Sequence, residues 1–194
     1  LESLAQHRRL GDIAGVALCL NNLAALNLDR GALDEVEAHA REALALSERH
    51  GLSSTRALAL GNLTELGLLR GDLDAAETHG PRALELAAAA GYRGDAASIG
   101  MLLVRSALRR GDLGRARERL VAALQIANDI ARRPLQINGL ACFAELLRAR
   151  GEGESGRALL ASIAKAPEVP ESDRVQMRAL LAKWPSLSGG PAPA

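Results

Sequence analysis

Glu65, Arg105 and Glu145 stand 40 residues apart from one to the next, and Asn22 and Asn62 keep the same step. These residue types bind rather than react. A row of alternating carboxylates and a guanidinium could hold a charged or zwitterionic ligand, or pair along the row as an internal ion ladder worth little where solvent reaches it. An asparagine amide both donates and accepts. A ladder of them could grip an extended peptide backbone without reading its sequence, or satisfy neighbouring helix backbone instead. The side chains that do chemistry are missing from any recognisable pattern. No Gly-rich phosphate loop, metal-spaced Cys/His cluster or nucleophile motif occurs, so no enzyme, cofactor or metal is expected.

The step of 40 also governs the elements that would carry these residues. Arg-Gly returns at Arg30, Arg70, Arg110 and Arg150, and laying residues 11–50 over 51–90 gives 17 identical positions of 40. The identities include Gly11/Gly51, Gly31/Gly71, His39/His79 and Leu44/Leu84. Within each copy two stretches, such as "VALCLNNLAALNL" and "LDEVEAHAREALAL", place apolar residues three and four apart, the mark of amphipathic helices. Gly31, Gly71, Gly111 and Gly151 fall between the two stretches, where a tight turn needs positive φ. Asp72 and Asp112 follow and can cap the next helix. The unit is an antiparallel helix pair, which cannot bury its apolar stripe alone and must stack on copies of itself. Small residues at Ala43, Ala76, Ala83, Ala116 and Ala123 would allow close helix approach, and Leu44, Leu84, Leu124 and Ile126 would fill between. The expected fold is an all-α, right-handed α-solenoid over 1–184. It comprises half a repeat at 1–10, repeats at 11–50, 51–90, 91–130 and 131–166, and a C-terminal capping helix at 171–184. Residues 185–194, rich in Pro, Gly and Ser, are expected to be disordered. Pro81, inside a second helix, should kink or interrupt it.

Composition narrows the class. Aromatics are 2% of the 194 residues, net charge is +1, and no apolar run approaches a membrane span. Neither nucleic acid nor a membrane is an expected partner. Cys19 and Cys142 are too few for a disulfide framework, which suits reduced thiols and a cytoplasmic location. Charge is uneven: residues 31–90 carry ten acidic and five basic side chains, 91–133 four acidic and nine basic. That polarity could dock another domain or a second copy head-to-tail, or simply reflect an Arg-rich coding bias. The chain opens at Leu1 in mid-pattern, and a longer parent polypeptide is expected.

Leu23 and Leu63, Gly31 and Gly71, then Ala76, Ala83 and Leu84 give a pattern that resembles the tetratricopeptide repeat. That family repeats at about 34 residues, and its aromatic positions hold Asn27, Ala40, Gly67, Gly80 and Ala107 here. "LESLAQHRRLGDIAGVALCLNNLAALNLDRG" is similar to a long-helix subclass found in the C-terminal regions of bacterial maltose-regulator-type and antibiotic-regulator-type signalling ATPases. The resemblance implies a protein- or ligand-binding scaffold, the sensor or interaction region of a larger bacterial transcriptional or signalling regulator. The alternative is a structural spacer or self-association module without a ligand.

In such arrays the first helix of each pair lines a concave face. By resemblance the inward positions are Asn21, Asn22, Asn62, Glu65, Met101, Arg105, Asn138 and Glu145, with Arg56 and Arg148 near the rim. The expected occupant is a protein, a peptide or a small-molecule effector, and other domains of the same chain or a second copy are further partners. The family's clamp for acidic C-terminal tails is not reproduced, since its Lys positions hold Asn21 and Ser98 and its Arg position Leu102. His39 and His79 fall on second helices and are expected to face outward, with layers about 10 Å apart. That is too far to share a metal.

Overall fold

The computed structural model describes residues 2–182, and within them the chain is all-α, without a strand. The helices are α1 (Glu2–Leu10), α2 (Ile13–Arg30), α3 (Leu33–Arg49), α4 (Ser53–Arg70), α5 (Leu73–Ala89), α6 (Arg93–Arg109), α7 (Leu113–Asp129), α8 (Arg133–Ala149), α9 (Gly153–Lys165) and α10 (Glu171–Ala182). Positions 183–184 of the expected capping helix, and the expected disordered stretch 185–194, lie outside the described residues. No helix is long and apolar enough to cross a membrane among the described residues.

Local chemistry sets the boundaries. Gly31 and Gly71 end α2 and α4 in the left-handed conformation, at φ 71° and 77°. An L side chain there costs about 1 kcal/mol or more. At the other ends, Asp12, Asp72 and Asp112 accept the N–H of Gly15, Ala75 and Arg115 with their carboxylates, satisfying donors the first turn leaves open. One turn departs from this pattern: Ala131 has φ 50° where the three earlier copies place Gly11, Gly51 and Gly91.

Each helix packs on the next, and the first helices of successive pairs also touch in series: α2 on α4, α4 on α6, α6 on α8. α8 also touches α10, whereas the backbones of α3, α5, α7 and α9 do not pack closely on one another. The sequence accounts for this asymmetry. The second helices bury one narrow stripe at repeated spacing: Val36, Ala40, Ala43 and Ser47 on α3, and Ala76, Gly80, Ala83 and Ala87 on α5. α4, packed on both sides, buries residues around more of its circumference, from Ala57 through Leu60, Leu63 and Leu66. Large side chains such as Leu20, Leu103 and Leu160 are fully enclosed, each contributing about 1.5–3 kcal/mol.

Gly67 and Gly80 have a steric reason. A Cβ on Gly67 would stand 2.9 Å from the Asp72 carbonyl oxygen and 3.0 Å from the Ala76 nitrogen, so its absence lets α4 and α5 close on each other. Gly80 faces Thr64 and Leu103 just as tightly. Pro81 follows Gly80, and here the expectation of an interrupted helix fails: α5 runs through Pro81 unbroken from Leu73 to Ala89. Proline deletes one helical hydrogen bond, and the preceding glycine presents no Cβ to the pyrrolidine ring.

Candidate functional site

Because α4, α6 and α8 lie in one row, residues at the step of 40 come into register across them. Glu65, Arg105 and Glu145 meet in a cleft of about 460 Å³. α4 adds Leu68 and Leu69 to it, α6 adds Leu102, Leu108 and Arg109, α8 adds Arg148 and Ala149, and Leu180 of α10 closes one end. The lining is thus two carboxylates and three guanidiniums set among leucines.

Arg105 is the pivot. Its Nη2 donates to Asn138 Oδ1 at 2.6 Å, and the same guanidinium acts on both Glu65 and Cys142. Arg109 donates to the Leu68 carbonyl, stitching α6 to α4. Glu65 is half-buried, and removal from water pushes its carboxyl above the usual range. Arg105 opposes that rise, while Asp29 adds to it. No hydrogen bond or close ion pair reaches the Glu65 carboxylate among the described residues. It is therefore partly desolvated without full compensation, a state that a cationic group entering the cleft would relieve. Cys142 is buried beneath Arg105, and burial pushes its thiol up to about 11. It is an inert packing residue rather than a nucleophile.

The other sequence-derived positions do not join this cleft. Asn21 is 2% exposed and spent internally: its Nδ2 donates to the Thr55 carbonyl at 3.0 Å, and its Oδ1 accepts from Asn62 Nδ2 at 3.0 Å. Of the two readings open for the Asn22 and Asn62 ladder, Asn62 follows the internal one, and with Asn21, expected on the inward face, it ties α2 to α4. Met101 is likewise not a lining residue. It is fully buried with Val104, Ala123 and Cys142 in the core between α6, α7 and α8. Asn138 is half-buried and serves Arg105 from behind. Asn22 is exposed, in a separate shallow depression with Ser3, Cys19 and Leu26. Arg56, near the start of α4, is half-buried and takes no part in the cleft. His39 and His79 do not face outward: both are half-buried, His39 lies 3.2 Å from the Asn27 amide, and burial lowers the His79 pKa.

Sequence reasoning missed Leu68, Leu69, Leu102, Leu108, Arg109, Ala149 and Leu180. Arg109 and Ala149 lie one helical turn beyond Arg105 and Glu145, so helical spacing alone could have found them. Leu180 had no such signal, since α10 falls outside the step of 40.

A second polar cluster is structural. Glu77 on α5 accepts from Arg119 of α7 at 2.9 Å through both carboxylate oxygens, and from Ser106 of α6 at 2.6 Å. These bonds, Arg119 above all, hold its carboxyl down at about 2. The same Arg119 donates to the Leu103 carbonyl at 3.1 Å, so one guanidinium clasps three helices.

No protein-family model matches the chain, and no curated protein matches it. Among solved structures it is similar to BtubC (BKLC) from P. vanneervenii, with a TM-score of 0.65 and 17% identity. The similarity covers 94% of this chain and 70% of that one. It is a likeness of fold, a helical, repeat-like all-α arrangement.

Proposed function

We propose that the chain is a non-catalytic binding scaffold, a tetratricopeptide-like right-handed solenoid whose concave row is α2, α4, α6 and α8. Its site is the charged cleft, and its ligand is a protein or peptide segment carrying both signs of charge. The observation that carries this reading is Glu65, a partly desolvated carboxylate without a bonded partner among the described residues, lining a 460 Å³ cleft. A lysine or arginine of the ligand would lay its aliphatic stem on Leu102 and Leu69 and bring its cation to Glu65 and Glu145. An adjacent carboxylate would meet Arg109. A ligand spanning α4, α6 and α8 favours one curvature of the row over another, and domains attached to it would feel that change. This suits the interaction region of a larger bacterial regulator, as the sequence resemblance implies.

A spacer without a ligand is favoured by one observation. The Asn21–Asn62 and Arg105–Asn138 pairs close part of the row with internal bonds. Amide chemical-shift titration separates the two readings, using the dipeptide Lys-Glu as probe and free arginine and glutamate as comparisons. The binding reading expects Lys-Glu to shift amides of α4, α6 and α8, and Glu65→Gln to weaken that response at least tenfold. Absence of shifts with every probe, or shifts indifferent to both Glu65→Gln and Glu145→Gln, leaves the spacer.

A further inference from the structure

At the ends of α4 and α6 an arginine reaches back to the start of the helix before it. Arg70, at the end of α4, pairs with Asp34 at 2.6 Å and with Glu37, both on α3. Arg110, just past α6, pairs with Asp74 on α5 and acts on Glu77. One step of 40 later stands Arg150, at the end of α8, and the equivalent positions on α7 are Gly114 and Arg117. Both carboxylates are gone, and one has been replaced by a cation.

The structure shows the consequence. Leu113, Gly114, Arg117, Leu146 and Arg150 line an open crevice of about 510 Å³. Arg150 reaches only Glu152, in its own turn, at 3.1 Å, and Arg117 has no acidic partner among the described residues. The space left by the missing side chain is free, since a Cβ on Gly114 would meet nothing nearer than Asp112 Oδ1 at 3.7 Å. Two guanidiniums and two leucines thus border a place that the preceding copies fill with carboxylates.

We infer that this crevice between α7 and α8 docks an acidic helical segment of a partner protein. The chain itself supplies the argument for the occupant. In both preceding copies the groups filling this place are carboxylates three residues apart on one helix face, as Asp34 and Glu37 are on α3. A partner helix with acidic residues three or four apart presents the same pair. Planar guanidiniums take carboxylates bidentately, which a point charge cannot do. The charged side chains lining the crevice are both cations, Arg117 and Arg150, which favours an acidic partner. No aromatic side chain lines the crevice, so stacked bases are not its natural ligand. The site is independent of the cleft around Glu65, with which it shares no lining residue.

The test uses the 194-residue chain and an alanine-based helical peptide of about four turns, with Glu residues three and four apart. Its Gln counterpart serves as comparison. Titration calorimetry is expected to give binding of the Glu peptide that weakens with salt, with amide shifts at the start of α7 and the end of α8. Gly114→Asp/Arg117→Glu rebuilds the arrangement of the preceding copies and should weaken binding at least tenfold while leaving the thermal midpoint unchanged or raised. Arg117→Ala should weaken it less, and Glu65→Gln not at all. The inference is overturned if the Glu peptide does not bind, if the Gln peptide binds equally, or if the rebuilt variant binds as the parent does. It is also overturned if a single-stranded oligonucleotide competes with equal strength, or if sedimentation shows a dimer that Gly114→Asp/Arg117→Glu dissolves.

Discussion

Glu77→Gln tests whether the clasp between α5, α6 and α7 carries stability through charge. The carboxyl sits at about 2 against 4.5 in an open chain, and each unit is about 1.4 kcal/mol of preference for the charged form. The ceiling is therefore about 3 kcal/mol. Both Glu77 and Arg119 keep 19% side-chain exposure, and solvent screening brings the expected contribution to about 2 kcal/mol. The sign follows from a depressed folded-state value. The contribution is fully present above pH 4.5 and is lost as pH falls through about 2. Glutamine keeps the shape and one acceptor for Ser106 but not the charge. Urea unfolding at neutral pH should show Glu77→Gln less stable by about 2 kcal/mol. The gap should narrow below pH 4.5 and nearly close at about pH 2. Asp12, Glu37 and Glu171 also have lowered values, but they titrate alike in both proteins and cancel in the difference. A gap that stays constant from neutral to acid would mean that the variant harms packing, and the electrostatic reasoning would fall.

Ala131→Gly should raise stability by about 0.5–1 kcal/mol, because φ 50° suits glycine; an unchanged or lower urea midpoint would show no strain there. Gly67→Ala should cost about 1–2 kcal/mol through its contact with Asp72 and Ala76 backbone. Gly61→Ala, whose Cβ would meet only Ile99 at 3.5 Å, should be neutral or stabilising, and equal losses at both sites would refute the close-approach argument. Asn21→Ala removes the bonds of its amide to the Thr55 carbonyl and to Asn62, which keeps its bond to the backbone carbonyl of residue 21, and should cost about 0.5–1.5 kcal/mol. Asn62→Ala should cost less, and the reverse order in thermal unfolding would count against the internal role of Asn21.

The turns and the Glu65–Arg105–Glu145 row were legible in the sequence for one physical cause. A position in a repeated unit keeps its surroundings, so glycine every 40 residues marks a turn and charges at that step share a face. The same cause explains the misplacement of Asn21 and Met101. They occupy one position in two copies, and the polarity of asparagine suggests an open face. Yet the position points into the core, where Asn21 survives only by bonding to Thr55 and Asn62. Polarity reports exposure only when no neighbouring group can satisfy the amide. Half-buried His39 follows the same rule through its contact with Asn27.

Departures from the step carry a different kind of information. Replacing the acid of Glu37 and Glu77 by Arg117 changes the local charge by two units while the backbone stays helical from Leu113 to Asp129. The fold tolerates this because the arginines are exposed, and like charges in solvent cost at most about 1 kcal/mol. That is small against the burial of Leu120 and Ala123 on the same helix. Folding energy therefore barely constrains the sign of charge at this position, and the surface potential can vary while the stack persists. Arg117 was visible in the sequence, but its meaning depends on Arg150 and Leu146 standing across from it, which only the antiparallel packing of α7 and α8 brings about.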